Sequence, residues 1–389
     1  MDIEYLRRMA APKLAKFYPK KIELNFSGSS PPELFVGDAF YPRVNAGILA
    51  PTNYDEEAFK LTSPEEWFKE GLKIEDILFL RSSLIYSRFK VDVKTKSSKL
   101  LDVMQEVSMA EKPTAVEFKL KKKPSMKMSF DVRHPPIGNP APLIKAQLEE
   151  NPKVPKKVEY FVSDYDLKAG DAIDELYRSE FTVTNIVKLL SAGLLGVKAQ
   201  RKLTPSKWSI TAVDSLVSKN LMKEIRNYPW INGFEVFHDE YLGNHYEILM
   251  MPRQWSFEVV EAALPCDAYP HGGFWYDYEG YWDRKKYANS VVGAYYANRL
   301  AACEYLAKIK RQASVVVFRE VKPTYWAPCG VGVLREVTRN AFKRSTEKFG
   351  TLKEALSCIN SRLRLSVDYF AEKSVILKES REQRSLVEF

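Results

Sequence analysis

The sequence predicts an α+β fold, because helices, short antiparallel strands and a hairpin are interleaved without a repeating βαβ period. Three observations carry this. Residues 114–120 alternate apolar and polar side chains at period two, which marks a half-buried strand. Residues 171–190 place Ile173, Leu176, Tyr177, Phe181, Ile186, Leu189 and Leu190 on one helical stripe. Residues 233–252 hold two apolar runs around Leu242-Gly243-Asn244, which marks a hairpin.

The remaining elements follow in chain order. Pro12, Pro19, Pro31, Pro32, Pro42 and Pro51 break up the start, leaving one short apolar run, Leu34-Phe35-Val36, ended by Gly37. A helix opens at Pro64, with Ser63 as its cap and Glu65 and Glu66 in its first turn. Residues 98–110 form a second helix on Leu100, Leu101, Met104 and Val107. After strand 114–120 come a link with Pro135, Pro136, Pro140 and Pro142, then a helix around 143–150. Gly193 and Gly196 end the helix at 171–190. In the hairpin, a turn on Leu242-Gly243 pairs His238 and His245 each with a glutamate, whereas one on Gly243-Asn244 opposes Glu240 and Glu247. Both registers stay open. Residues 264–283 are a turn-rich aromatic stretch, taken as a domain boundary. Beyond it come a helix at 288–311, a strand at 314–319 and helices at 332–348 and 351–377. The expected division is an N-terminal region 1–270, a C-terminal region 271–378 and a flexible peptide 379–389.

The 389 residues suffice for about two domains, and 45 % hydrophobic side chains with 13 % aromatics exclude a largely disordered chain. No run approaches the roughly 18 apolar residues of a membrane span, and the start lacks the order of a signal peptide. A cytoplasmic protein without a membrane partner is expected. Cys266, Cys303, Cys329 and Cys358 lie at least 26 positions apart, too sparse for a zinc pair or a disulfide scaffold. No metal or other cofactor is expected.

Against 50 acidic residues stand 59 Lys and Arg, a net charge of +9. The excess is clustered. Residues 181–213 hold Lys188, Lys198, Arg201, Lys202 and Lys207 with no acid, and 111–133 carry seven basic residues against three acidic. Such clusters fit a polyanion, because Lys and Arg release counterions when they contact phosphates. The best segment is 198–208: Lys198, Arg201, Lys202 and Lys207 meet phosphates, and Trp208 offers a stacking face.

The tail carries a second signal. Gln383, Leu386 and Phe389 share one side of a single 3₁₀ turn, which places two apolar anchors beside one hydrogen-bonding amide. The arrangement resembles the PIP motif, by which replication and repair proteins hold the PCNA sliding clamp. It has one terminal aromatic where many such motifs have two, which points to micromolar affinity, about 8 kcal/mol.

The body of the chain resembles the archaeal Nre family of DNA repair proteins. The residues that carry this are Phe35-Val36-Gly37, Tyr41-Pro42-Arg43-Val44-Asn45, Leu176 to Asn185, Arg201 to Asp214, Trp326-Ala327-Pro328-Cys329-Gly330 and Arg335-Glu336. The likeness covers nearly the whole chain and, with the short tail, points to the NreA type. It implies a role in DNA damage repair and binding of PCNA through the tail, and it brings no settled catalytic residues. The N-terminal cysteine zinc motif of some relatives is absent, since the first cysteine is Cys266.

Chemistry is less marked. Glu117 and Lys119 have a nuclease-like spacing on a strand, and Asp164, Asp166, Asp171, Asp174 and Glu175 cluster near a helix start, where carboxylates favour the dipole. Arg335, Arg339 and Lys343 recur at four-residue spacing as a second basic face. The expected function is a repair factor that binds PCNA and contacts DNA. The alternative is a DNA- or nucleotide-processing enzyme, a nuclease or other hydrolase, with a pocket near 271–283 and Asp277 or Glu279 in it.

Overall fold

The computed structural model describes residues 22–31, 33–266, 269 and 271–382, and the fold is α+β. The described residues form two compact units: one spans 22–217 and takes in 327–332, the other comprises 218–326 and 333–382.

The first unit is built on strands β1 (Asn25–Ser30), β2 (Leu34–Val36), β3 (Arg43–Ala50), β4 (Ile85–Asp92) and β5 (Thr114–Leu120). A small pair, β6 (Met128–Ser129) and β7 (Ile137–Gly138), precedes the long β8 (Pro140–Leu148). The main sheet runs β1-β5-β8-β4-β3-β2, with β8 parallel to β4 and the other pairs antiparallel. β5 alternates as its sequence predicts, with Val116, Phe118 and Leu120 buried and Glu117 and Lys119 exposed. β8 replaces the helix expected around 143–150. Pro140 and Pro142 disfavour helical backbone in the residues before them, and Ala146 and Leu148 pair with Phe118 and Val116.

The helix expected over 171–190 is two helices, Ala169–Arg178 and Val183–Ser191. Glu180 takes a positive φ of 66°, and the Thr182 hydroxyl accepts the Asn185 N–H at 3.1 Å, so a second helix starts afresh. Ser63 and Ser98 cap helices Pro64–Lys69 and Lys99–Met109 in the same way. Helix Ser206–Ile225 carries the chain out of this unit.

The second unit holds β9 (Phe234–Tyr241), β10 (Asn244–Met251), β11 (Ser256–Ala263), β12 (Gly273–Glu279), β13 (Ser314–Val321) and β14 (Glu347–Phe349) in the order β12-β11-β13-β10-β9-β14. Tyr241 opposes Asn244 across a two-residue turn whose Leu242 and Gly243 both have positive φ, 52° and 76°. The register is therefore the one that pairs His245 with Glu240 and His238 with Glu247. The aromatic stretch is not all turn: Phe274, Tyr276 and Tyr278 alternate along β12, paired with β11.

Helices Leu352–Arg362, Val367–Ala371 and Val375–Glu382 stand where one helix is expected over 351–377. The first interruption is held by Glu320, which accepts the N–H groups of Arg364 and Leu365 at 2.9 Å. Their apolar side chains, among them Leu356, Phe370 and Leu377, pack on Val236, Leu249, Val260 and Phe318 of the sheet. Phe237 and Phe257 pack on Tyr305 and Tyr295 of helix Gly293–Ile309. The helix expected over 332–348 is Val331–Ala341, and β14 takes part of the remainder.

Candidate functional site

A cleft of about 740 Å³ opens in the first unit. Its floor is one face of β2, β3 and β4. Phe35, Gly47 and Arg88 are register partners there, and Asn45 and Tyr86 lie two positions away on that face. The walls come from residues 126–137, from Gly37 to Ala39, and from Lys207 at the start of its helix.

Three forces hold the wall that bears His134. Arg81, fully buried, donates from Nε to the Pro136 carbonyl at 2.8 Å, and the Val331 N–H donates to the Arg133 carbonyl at 3.0 Å. The ring of Phe35 lies edge-on to the imidazole, centroids 4.8 Å apart. His134 is buried, and its Nδ1 stands 2.7 Å from the Pro135 carbonyl. A carbonyl only accepts, so Nδ1 carries the proton and Nε2 of the neutral ring keeps its lone pair. Burial lowers the His134 pKa despite the nearby Asp131 carboxylate, so the neutral form prevails. No partner occupies Nε2 among the described residues.

The charges of the cleft do not cancel. Asp38 is paired with Lys207. Asp131 takes the Arg133 guanidinium at 3.0 Å through both oxygens; burial pushes its carboxyl up, but these bonds win and hold it at about 2. Arg88 and Lys127 also line the cleft, and among the described residues neither has an ion-pair partner. The net field is positive.

Exposed rings follow two of the lining residues in sequence. Ala39 is followed by Phe40 and Tyr41, and Lys207 by Trp208. Trp208 and Tyr41 are 42 % and 41 % exposed, with ring centroids 5.2 Å apart. Of the basic residues expected to meet phosphate, Lys202 is exposed to solvent, and Lys198 holds its ammonium 4.0 Å from the Tyr165 ring centre. Lys207 is engaged by Asp38. Arg201 faces inward: it donates to the carbonyls of Gly196, Val162, Phe161 and Asp164 at 2.6 to 3.4 Å, closing the end of helix Lys156–Ser163.

Several other sequence candidates have internal partners. Asp277 accepts Arg284 at 2.9 Å and the N–H groups of Ser290 and Val291, while Glu279 accepts the buried Arg299 at 2.7 Å. Glu117 and Lys119 lie on the exposed face of β5. Asp164 accepts the N–H groups of Asp166 and Leu167, and Asp174 pairs with Arg178. Arg335 is buried, and Arg339 is bound by Glu304 and Glu336. His245 bridges Glu240 and Glu247, and Arg362 completes the charge on Glu247 at 2.7 Å. Among the described residues, no three or more His, Cys, Asp or Glu side chains converge as a metal site, and no helix is long and apolar enough to cross a membrane. Gln383, Leu386 and Phe389 lie outside the described residues. The helix before them, Val375–Glu382, starts on a buried carboxylate: Glu258 accepts Ser374 Oγ at 2.5 Å and the N–H groups of Val375 and Ile376 at 2.9 and 3.1 Å.

The family model for the archaeal Nre N-terminal region matches residues 9–269, and that for the C-terminal region matches 279–389. The chain belongs to the archaeal Nre family. DNA repair protein NreB of Archaeoglobus fulgidus is 38 % identical over 387 residues, covering 98 % of this chain and 96 % of that one. DNA repair protein NreA of Haloferax volcanii is 36 % identical over 359 residues, 90 % and 86 % of the two chains. NreA of Archaeoglobus fulgidus is 38 % identical over 347 residues, 88 % and 86 %. No solved structure matches the chain. Several segments that carry the Nre resemblance meet at the cleft. Phe35, Gly37, Asn45 and Lys207 line it, and Gly330 lies against the backbone of His134.

The cleft itself leaves little trace in local pattern. Arg88, Lys127 and His134 come from separate segments of the chain, and the local mark nearest the site is Arg133-His134-Pro135-Pro136, which two prolines stiffen.

Proposed function

We propose that this Nre-family chain is a DNA repair protein that is tethered to the PCNA sliding clamp by Gln383, Leu386 and Phe389 and touches DNA through the exposed surface around Lys202, Tyr41 and Trp208. The names of the relatives support the repair role. The observation that carries the DNA contact is the Trp208–Tyr41 pair: two large rings held together yet left open to solvent, with cations nearby in sequence. Sequence-tolerant binding of single strands uses such stacking faces flanked by positive charge. The clamp reading rests on the spacing of the three tail residues, and the carboxylate of Glu258 fixes the helix that leads to them. Tethering raises the local concentration at the clamp, so neither contact alone has to be strong.

The test is calorimetric titration of the cognate clamp with the intact chain and with a chain ending at Glu382. Saturable binding lost on truncation supports the tether. Equal binding, or none in both, overturns it.

A further inference from the structure

The cleft in the first unit has the composition of a nucleotide pocket rather than of a packing defect. Its volume suits a small organic ligand. Its two carboxylates are already neutralised by Lys207 and Arg133, so the uncompensated charge belongs to Arg88 and Lys127, which calls for an anion. Around that charge stand Phe35 and Phe130, with the Asn45 amide and the lone pair of His134 Nε2 available for hydrogen bonds. Unsatisfied polar groups beside apolar walls are what orient a bound base or sugar. A planar apolar body, an anionic group, and donors and acceptors on one molecule describe a nucleoside phosphate.

We infer that the cleft binds a phosphate-bearing nucleoside, with its phosphate on Arg88 and Lys127, its base against Phe35 and Phe130, and His134 Nε2 accepting a hydrogen bond from base or sugar. Two sources supply that chemistry, a free nucleotide and the terminal or unstacked nucleotide of a DNA strand. In the second case the neighbouring bases lie on the exposed Tyr41–Trp208 pair, whose members closely follow the lining residues Ala39 and Lys207 in sequence, and that part rests on the DNA contact proposed above.

The experiment titrates the full chain with deoxynucleoside 5′-monophosphates, the matching deoxynucleosides, inorganic phosphate, and short single strands with and without a terminal phosphate. Monophosphates are expected to bind saturably, at least tenfold more tightly than the deoxynucleosides or phosphate alone. Arg88→Gln and, separately, the exposed Lys127→Gln are expected to weaken monophosphate binding about tenfold while leaving the melting temperature and duplex DNA affinity unchanged. Tyr41→Ala separates the sources: loss of strand binding alone points to a nucleotide within DNA, and loss of neither to a free nucleotide. Absence of monophosphate binding, or binding indifferent to both Arg88→Gln and Lys127→Gln, overturns the pocket even if duplex DNA still binds. Monophosphate binding without any DNA binding overturns the DNA contact and leaves the pocket standing.

Discussion

Gly330 packs so closely on the backbone of His134 that a Cβ added to the glycine would meet the histidine's carbonyl carbon at 2.7 Å and the Pro135 nitrogen at the same distance. Its φ of +84° is also one that side-chain-bearing residues rarely adopt. Gly330→Ala is therefore expected to destabilise the protein by roughly 1–3 kcal/mol and to shift the His134 loop. Thermal unfolding gives the first quantity, and the chemical shifts of the His134 ring give the second. An unchanged His134 spectrum would show that the loop is not held from this side.

Arg201 and Lys202 are adjacent and have opposite roles. Arg201→Ala strands four carbonyl acceptors and is expected to cost roughly 2–4 kcal/mol, read as a fall in melting temperature. Lys202→Glu is expected to leave the melting temperature alone and to reduce the salt slope of DNA binding by about one. A slope that does not move removes Lys202 from the interface.

Lys188 is buried, its ammonium making one long bond of 3.4 Å to the Ala110 carbonyl. Burial lowers its pKa to about 7, against the pull of Glu33. The unfolded chain binds this proton up to its ordinary 10.5, so the lysine subtracts stability at neutral pH and ceases to do so as pH rises through 10.5. Lys188→Met is expected to be more stable than the parent by roughly 2–4 kcal/mol at pH 7, with the gap closing toward pH 10.5. Denaturant titrations at the two pH values measure it, and a gap that does not vary with pH would refute the lowered pKa.

Glu258 caps the last helix from the middle of a strand of another layer. Removing the carboxylate in Glu258→Ala is expected to speed amide exchange at Val375 and Ile376 by at least tenfold, while amides of β13 keep their protection. Equal protection at Val375 in both proteins would show that the helix is held by its apolar face alone.

The elements legible in the sequence are those whose period is unbroken and whose ends are chemically marked. β5 alternates cleanly, and Ser63 and Ser98 announce their helices. The break between Ala169–Arg178 and Val183–Ser191 is hidden because Phe181 and Ile186 continue the apolar stripe across it. β8 is hidden because its character comes from the strands beside it. The charge clusters give a sign but no direction, since nothing local tells whether a guanidinium faces carbonyls, as Arg201 does, or water. His134 and Arg88 become neighbours of one cleft only after the sheet has formed.

The order of strands has a consequence for synthesis. In both sheets a strand made late sits between two groups made earlier: β8 joins β1-β5 to β4-β3-β2, and β13 joins β11-β12 to β10-β9. A chain leaving the ribosome has completed both hairpins of the second unit well before Ser314 appears. Until then each hairpin carries an open backbone edge, a template for pairing with other nascent chains. In the second unit the vulnerable interval thus lasts until β13 is complete at Val321.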